Sequence, residues 1–498
     1  MNPNALIKPS AITQTTADET KAFRMLLCLL AAIVFVRLIT LGAYPLFDNT
    51  EARYAYIGKL MYETGNWVTP MVTHSTPFWA KPPLSMWAVA ISYSVFGVSE
   101  FSARFPFFVM FIATGWLVYA AAAPMFGRLG GLLSVVVFSS SGLSFYLAGG
   151  VMTDPALILG TTLIMVSFML CMRGGHPVWG YMFFAGLAIA LLAKGPIGAV
   201  LPGIAIGSWV LWHRKWAEIW RKMPWIKGTA LTALVVIPWY VLAEIKTPGF
   251  LNYFIVGEHF QRYLDKGWHG DMYGAPRIHP LGTIWLFGLL AGLPWSAVLI
   301  FIGIKPNLRR KAFSSEIFRD EWVRYLVLWI AVTVLFFSTT HAVLITYVGM
   351  SIPGLAIFAG YVFTRLGTLK KPWLILAAAV VPLLLLATVG LYARNPSAAW
   401  AQTQVNTLAV FRAQTDLNKG RLIYYPFATH SVNFYGENEY DEAPDLTSLI
   451  RKIDDGEKYF AMHALRYSSL PENVRARFEV VSINNATYLL KSTSGRSH

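Results

Sequence analysis

Long apolar runs alternate with short polar turns over most of the chain. Crossing the hydrocarbon core of a bilayer takes about 17 to 25 apolar residues. The first such run extends from about Ala22 to Ala43. Ten more are centred near Trp116, Val136, Leu163, Phe184, Ile206, Val235, Leu290, Ile330, Ile352 and Ala379. The first run is too long for the apolar core of a cleaved signal, and no small-residue cleavage pattern follows it. It reads as a signal anchor and first span. Leu84–Phe96 is shorter, follows Pro82-Pro83 and is flanked by polar loop, so it reads as a helix lying in or near the interface. The pattern predicts an α-helical polytopic membrane protein with about 11 to 13 transmembrane helices.

The texture changes after Tyr392. Arg421–Tyr425, Tyr459–Met462 and Ala486–Leu490 read as short strands. Leu446–Ile453 reads as a helix ahead of the turn Asp454-Asp455-Gly456. The expected organisation is a polar tail over 1–21, then a membrane domain over 22–392 with long outer loops at 44–104 and 244–280. A small soluble α/β domain over 393–498 completes it.

Composition agrees with this layout. Hydrophobic residues make up 55% of the chain and charged residues 13%, about half the charged share of a soluble protein. Cys28 and Cys171 both lie in apolar runs and read as buried small hydrophobes, not as a disulfide or metal site. Charge adds a direction. With the N-terminal tail inside, the inner loops carry 16 Lys/Arg in 57 residues and the outer loops 9 in 114. This positive-inside bias, with an odd number of spans, puts the long loops and the C-terminal domain outside. The segment Ala393–His498 holds 12 basic and 11 acidic residues, so nearly all of the net charge of +15 belongs to the membrane part. It marks orientation, and no nucleic-acid face is needed to explain it.

The outer segments concentrate the candidate chemistry. In Phe47-Asp48-Asn49-Thr50-Glu51-Ala52-Arg53-Tyr54, Asp48 and Glu51 stand at what looks like a helix start. Asp48 or Thr50 can cap that helix. Glu51, Arg53 and Tyr54 either belong to an amphipathic surface helix with a solvated ion pair or serve a site. Asp154, in Thr153-Asp154-Pro155, is a carboxylate at a membrane boundary; there it is either a helix cap or functional, and Pro155 suits a first helical position. Lys81 and Lys194 are cations near headgroup depth, where snorkelling and anion binding are the two accounts. Glu258-His259 precedes Arg262 in the second long loop. His beside Glu can bind metal, but two further spaced ligands are wanting for a zinc site. No cofactor is assigned, and a divalent metal stays compatible. Cations suit phosphate, and aromatic rings suit sugar faces. The set fits an enzyme that takes an anionic, lipid-linked substrate from the membrane. A lipid-linked sugar flippase is the alternative, but its polar residues would gather near the bilayer midplane.

Several motifs together resemble the bacterial aminoarabinose (lipid A) transferase family, which is related to the protein O-mannosyltransferases. They are Asp48–Ala55, Gly65-Asn66-Trp67-Val68-Thr69-Pro70, Lys81-Pro82-Pro83 and Phe96–Pro106. Thr153-Asp154-Pro155, Ala193-Lys194-Gly195-Pro196, Pro238-Trp239-Tyr240, Glu258-His259 and Thr346-Tyr347 follow in the family's order. The resemblance implies a GT-C fold, a polyprenyl-phosphate-linked sugar as donor, and a membrane lipid, glycan or protein acceptor at the periplasmic side of the inner membrane. It makes Asp48, Glu51 and Asp154 the catalytic carboxylates of an inverting transfer. Arg53, Tyr54, Lys81, Lys194, His259, Arg262 and Tyr347 become substrate-binding residues. This chain departs from the family at Thr50, where Asp is usual, at Ala80, where Glu is frequent, and at Val343, where Lys is usual. The departures point away from aminoarabinose as the sugar, not away from glycosyl transfer.

Overall fold

The computed structural model describes residues 17–48, 50–265, 268, 270–274, 277–313, 320–367, 373–396, 402–414 and 420–493. Residues 1–16, Asn49, His269 and the loop cations Arg319, Lys370 and Lys371 lie outside the described residues.

Every apolar run is helical. Ala17–Ile39 is the first. Glu100–Ser140 carries the next two and breaks at Gly127, whose φ of 80° only glycine adopts at little cost. Asp154–Met172, Val178–Lys194, Ile197–His213 and Trp225–Lys246 follow. Thr283–Ala291 and Trp295–Ile304 form a pair bent by 106°. Glu321–Phe337, the 3-10 turn Ile345–Ser351 running into Ile352–Arg365, and Trp373–Arg394 complete the membrane part. Among the described residues, six helices are long and apolar enough to cross a bilayer, or seven with the bent pair as one span. Val178–Lys194, Ile197–His213 and Glu321–Phe337 have 17 residues each, about 25 Å, at the short end for a span. The multi-pass architecture therefore agrees with the pattern, and these short helices are where the span count softens. Cys171 is buried, but Cys28 is exposed on the first helix.

Small residues set the closest helix contact. A Cβ on Gly160 would stand 2.7 Å from the Ala190 nitrogen, and one on Gly186 would stand 2.8 Å from the Ile164 nitrogen. Helices Asp154–Met172 and Val178–Lys194 thus meet backbone to backbone. Their connection is short, so they run antiparallel and bring Asp154 and Lys194 to the same end.

Leu84–Phe96 is a helix of 13 residues with the expected limits. It packs on helix Glu51–Thr64, where a Cβ on Gly58 would lie 2.5 Å from Val89 Cγ1. Helix Glu51–Thr64 does not fit the surface-helix reading. Ten of its fourteen residues are buried, because Leu84–Phe96 covers it on one side and helix His430–Tyr435 of the C-terminal domain touches it as well.

The C-terminal domain is α/β. Strands β1 Leu422–Tyr425, β2 Tyr440–Glu442, β3 Tyr459–His463, β4 Phe478–Asn484 and β5 Thr487–Ser492 form one sheet in the order β2-β1-β3-β5-β4. β1 pairs in parallel with β2 and β3, and β5 runs antiparallel to β3 and β4. Helix Leu446–Asp454 starts on an Asp445 cap whose side chain accepts from the Ser448 N–H. Ile423, Phe460 and Leu490 face one core, while Leu422, Ala461 and Leu489 face another. This alternation is that of a sheet buried on both faces.

Candidate active site

Asp154 opens helix Asp154–Met172 and Lys194 ends helix Val178–Lys194. An acid at a helix N-terminus and a cation at a C-terminus each complement the helix dipole. Lys194 Nζ lies 2.8 Å from Asp154 Oδ1, with both side chains largely buried. Lys194 Nζ also lies 4.9 Å from the centroid of the Tyr347 ring, a cation–π distance. Gly195 turns the chain away at φ +80°, and a Cβ there would strike Phe254 at 2.5 Å. His259 fills the gap beside it. Its Nδ1 is 2.7 Å from the Phe254 carbonyl oxygen and its Nε2 is 3.3 Å from that of Lys194. Burial holds the imidazole below its ordinary pKa.

A second ionic group adjoins the first. Lys81 Nζ lies 2.6 Å from Glu258 Oε2, and Arg262 donates to Glu258 Oε1 at 3.1 Å and pairs with Asp271 at 3.3 Å. Glu258 stands on a π-helical segment, Asn252–Gln261, a wide-turn geometry common at functional sites. Burial alone would raise its carboxyl, but Lys81 and Arg262 outweigh burial and hold it below the usual carboxylate range. Burial lowers the Lys81 ammonium, with Glu258 opposing and Arg262 and Lys194 adding repulsion. A small cleft opens beside Arg262, lined in part by Tyr263, Trp268, Thr340 and His341.

Helix Glu51–Thr64 joins these groups. Arg53 donates to the Tyr273 carbonyl at 2.7 Å and lies 5.7 Å from the Tyr54 and Phe78 ring centroids. Tyr54 is buried edge-on against Phe78. Burial pushes its phenol up, and Arg53, Lys194, Asp154 and Glu258 all lie within electrostatic reach of it. The structure therefore brings together Arg53, Tyr54, Lys81, Asp154, Lys194, His259, Arg262 and Tyr347.

Asp48 and Glu51 are held by other partners. Glu51 is buried against Arg104, with Oε2 3.1 Å from Nη2. The fully buried Arg104 also donates to the carbonyls of Leu41, Tyr44 and Pro45 at 2.7 to 2.9 Å. Neither Asp48 nor Thr50 caps the helix through its side chain. The Asp48 carboxylate instead accepts from the Ser431 N–H at 2.7 Å, the Ser431 hydroxyl at 2.6 Å and the Thr429 hydroxyl at 2.9 Å. Sequence reasoning took Glu258 only as a neighbour of His259 and missed it as the hub of two cations. Its spacing of four residues from Arg262 on one helix face was the available signal. Among the described residues, no group of three or more His, Cys, Asp or Glu converges to hold a metal ion.

The family model for dolichyl-phosphate-mannose-protein mannosyltransferase matches residues 22–254. The undecaprenyl phosphate-alpha-4-amino-4-deoxy-L-arabinose arabinosyl transferase of Aeromonas salmonicida is 29% identical over 323 residues, covering 62% of this chain and 55% of that protein. The enzyme of the same name from Erwinia tasmaniensis is 30% identical over 318 residues, covering 62% and 54%. The chain thus spans about half the length of these curated relatives. In structure, the chain is similar to ArnT from Cupriavidus metallidurans bound to undecaprenyl phosphate. The TM-score is 0.76 at 18% identity, with 96% of this chain and 99% of that one covered. The apo form of the same protein gives 0.75. In sequence the chain is thus similar to the aminoarabinose transferases and, over residues 22–254, to the protein mannosyltransferases, and it shares the fold of ArnT.

Proposed function

We propose that this protein is a membrane glycosyltransferase. It moves a sugar from a polyprenyl-phosphate-linked donor to an acceptor at the periplasmic face of the inner membrane. The observation that carries this reading is the gathering of Lys81, Lys194 and Arg262 around Tyr54 and Tyr347 at the ends of apolar helices. Such a site offers cations to a phosphate at the membrane boundary and aromatic faces to a sugar. The excess of basic residues in the inner loops supports the outward orientation.

Lys81, Lys194 and Arg262 hold the donor phosphate and stabilise the charge that grows on it as its bond to the anomeric carbon breaks. The acceptor oxygen forms the new bond from the opposite face, which inverts the anomeric centre. Asp154 orients the acceptor and takes the proton of an acceptor hydroxyl; an acceptor phosphate is already ionised and needs no base. Polyprenyl phosphate leaves. Arg53, Tyr54, His259 and Tyr347 line the site. Asp48 and Glu51 fix the loop that presents Arg53 and Tyr54. The acceptor class is a membrane lipid, lipid A or another glycan, or a protein hydroxyl. The departures at Thr50, Ala80 and Val343 favour a sugar other than aminoarabinose.

Mass spectrometry of envelope glycolipids and glycoproteins, with and without the gene, tests this. One envelope species should lose a single sugar residue when the gene is removed. An unchanged glycan inventory would contradict the proposal.

A further inference from the structure

The C-terminal domain meets the membrane part at and around the short helix His430–Tyr435, and these contacts fall on the segment that leads into the site. Asp48 accepts three hydrogen bonds from Thr429 and Ser431, and its own N–H donates to the Gln402 carbonyl at 2.7 Å. The Leu46 N–H donates to the Tyr435 hydroxyl at 2.8 Å, and that hydroxyl donates to Glu100 at 2.9 Å. Lys59 reaches across to the Phe434 carbonyl and the Glu437 carboxylate, each at 3.3 Å. These bonds pin both ends of a stretch that begins at Leu46 and includes the first turns of helix Glu51–Thr64. Arg53 and Tyr54 lie within that stretch. From behind, Arg104 holds Glu51. Ser431 is completely buried, so its side of the bonds to Asp48 is shielded from bulk water, which strengthens them relative to fully exposed ones.

Resting on the transferase reading, we propose that the C-terminal domain is a working part of the transfer site. Ser431 is a positioning residue that fixes Asp48 and, through it, Arg53 and Tyr54. A side chain displaced by about 1 Å from its productive place can cost a factor of about 100 in rate. Three bonds of 2.6 to 2.9 Å on one carboxylate suit that requirement, because charge-assisted bonds tolerate little displacement.

Two measurements on the full-length protein test the proposal. The first reads docking without reference to activity. A zero-length carbodiimide should join the Lys59 amine to the Glu437 carboxylate, giving a linked peptide pair detectable by mass spectrometry. Absence of that pair overturns the proposal. The second compares Ser431→Ala, Ser431→Thr and the double change Thr429→Ala with Ser431→Ala in a transfer assay. The single alanine variant should lower kcat several-fold with donor KM little changed, and the double variant should lower it at least about tenfold. Threonine keeps the hydroxyl, so Ser431→Thr should retain most of the rate. Unchanged kcat in the double variant would sink the positioning role even with the cross-link present. A cross-link in a protein that transfers nothing without any substitution would count against the transferase reading and leave the docking contact standing.

Discussion

Asp154 and Lys194, forty residues apart in sequence, form a 2.8 Å ion pair across the ends of two antiparallel helices. The pair exists because Gly160 and Gly186 let those helices touch backbone to backbone. It places one carboxylate and one ammonium where apolar helix gives way to loop. Breaking a buried pair by removing one partner leaves a buried charge uncompensated. Asp154→Asn and Lys194→Gln should each lower thermal stability and cut transfer by about 100-fold or more. The double variant should recover stability relative to either single variant, since no charge is stranded, while transfer stays low. Equal stability losses that simply add would argue that the two residues do not pair.

The helix contact that creates this pair is open to a separate test. Gly186→Val inserts a branched side chain where even a Cβ would lie 2.8 Å from backbone. Overpacking of this kind costs about 1 to 3 kcal/mol. It should lower the melting temperature in detergent and reduce activity without altering any charged residue. A similar change at Gly203, which has open space around it, should do neither.

Arg104 ties Glu51 to three backbone carbonyls at the entry of the loop that follows the first apolar helix. A lysine has no planar fork and cannot make that set of bonds at once. Arg104→Lys should therefore behave nearly as badly as Arg104→Ala, with a loss of about 3 to 5 kcal/mol. Thermal unfolding of purified protein reads the difference. Near-normal stability of the lysine variant would show that only the charge matters.

The domain contact should respond to acid. Burial, aided by the charge of Arg53, lowers the His430 pKa from 6.5 to about 4. A folded-state value below the unfolded one means that the unfolded chain takes up the proton first. The stability contribution is therefore complete above pH 6.5 and is lost as pH falls from 6.5 towards 4. Asp48 beside it acts in the opposite sense, because burial raises its carboxyl and a raised acid gains stability as pH falls. Comparing Tm against pH for the unsubstituted protein and His430→Gln isolates the histidine. The variant should lose the part of the acid-induced drop that lies between pH 6.5 and 4; identical curves would exclude the effect.

Much of this architecture was legible in the chain because membrane spans impose a length and a composition that few other structures share. The eleven apolar runs, the helix Leu84–Phe96 and strands β1, β3 and β5 all appear near their expected places in the chain. Strand β2 is only three residues long and carries two acids, and β4 exposes Val480 and Ile483 and shifts register between Val480 and Ser482, so neither shows a regular apolar–polar alternation. In the site, individual residue types were legible but their partners were not. Asp48 and Glu51 look alike in sequence, yet one faces Ser431 and the other Arg104. Those contacts span about 380 and 53 residues, far beyond the reach of local periodicity. The surface-helix alternative for Glu51–Thr64 rests on its visible polar content, while the domain that covers it lies hundreds of residues away.

The central claim is that cations at the membrane boundary take the phosphate of a lipid-linked sugar. The most direct measurement is transfer of labelled sugar from a polyprenyl-phosphate-linked donor in proteoliposomes, comparing the unsubstituted protein with Lys81→Ala. Lys81 stands 2.6 Å from Glu258, and removing it takes one cation from the phosphate. The account predicts a new labelled product with the unsubstituted protein and at least about a tenfold loss in the variant. Movement of the donor across the bilayer with no new product, or full transfer by Lys81→Ala, would contradict it.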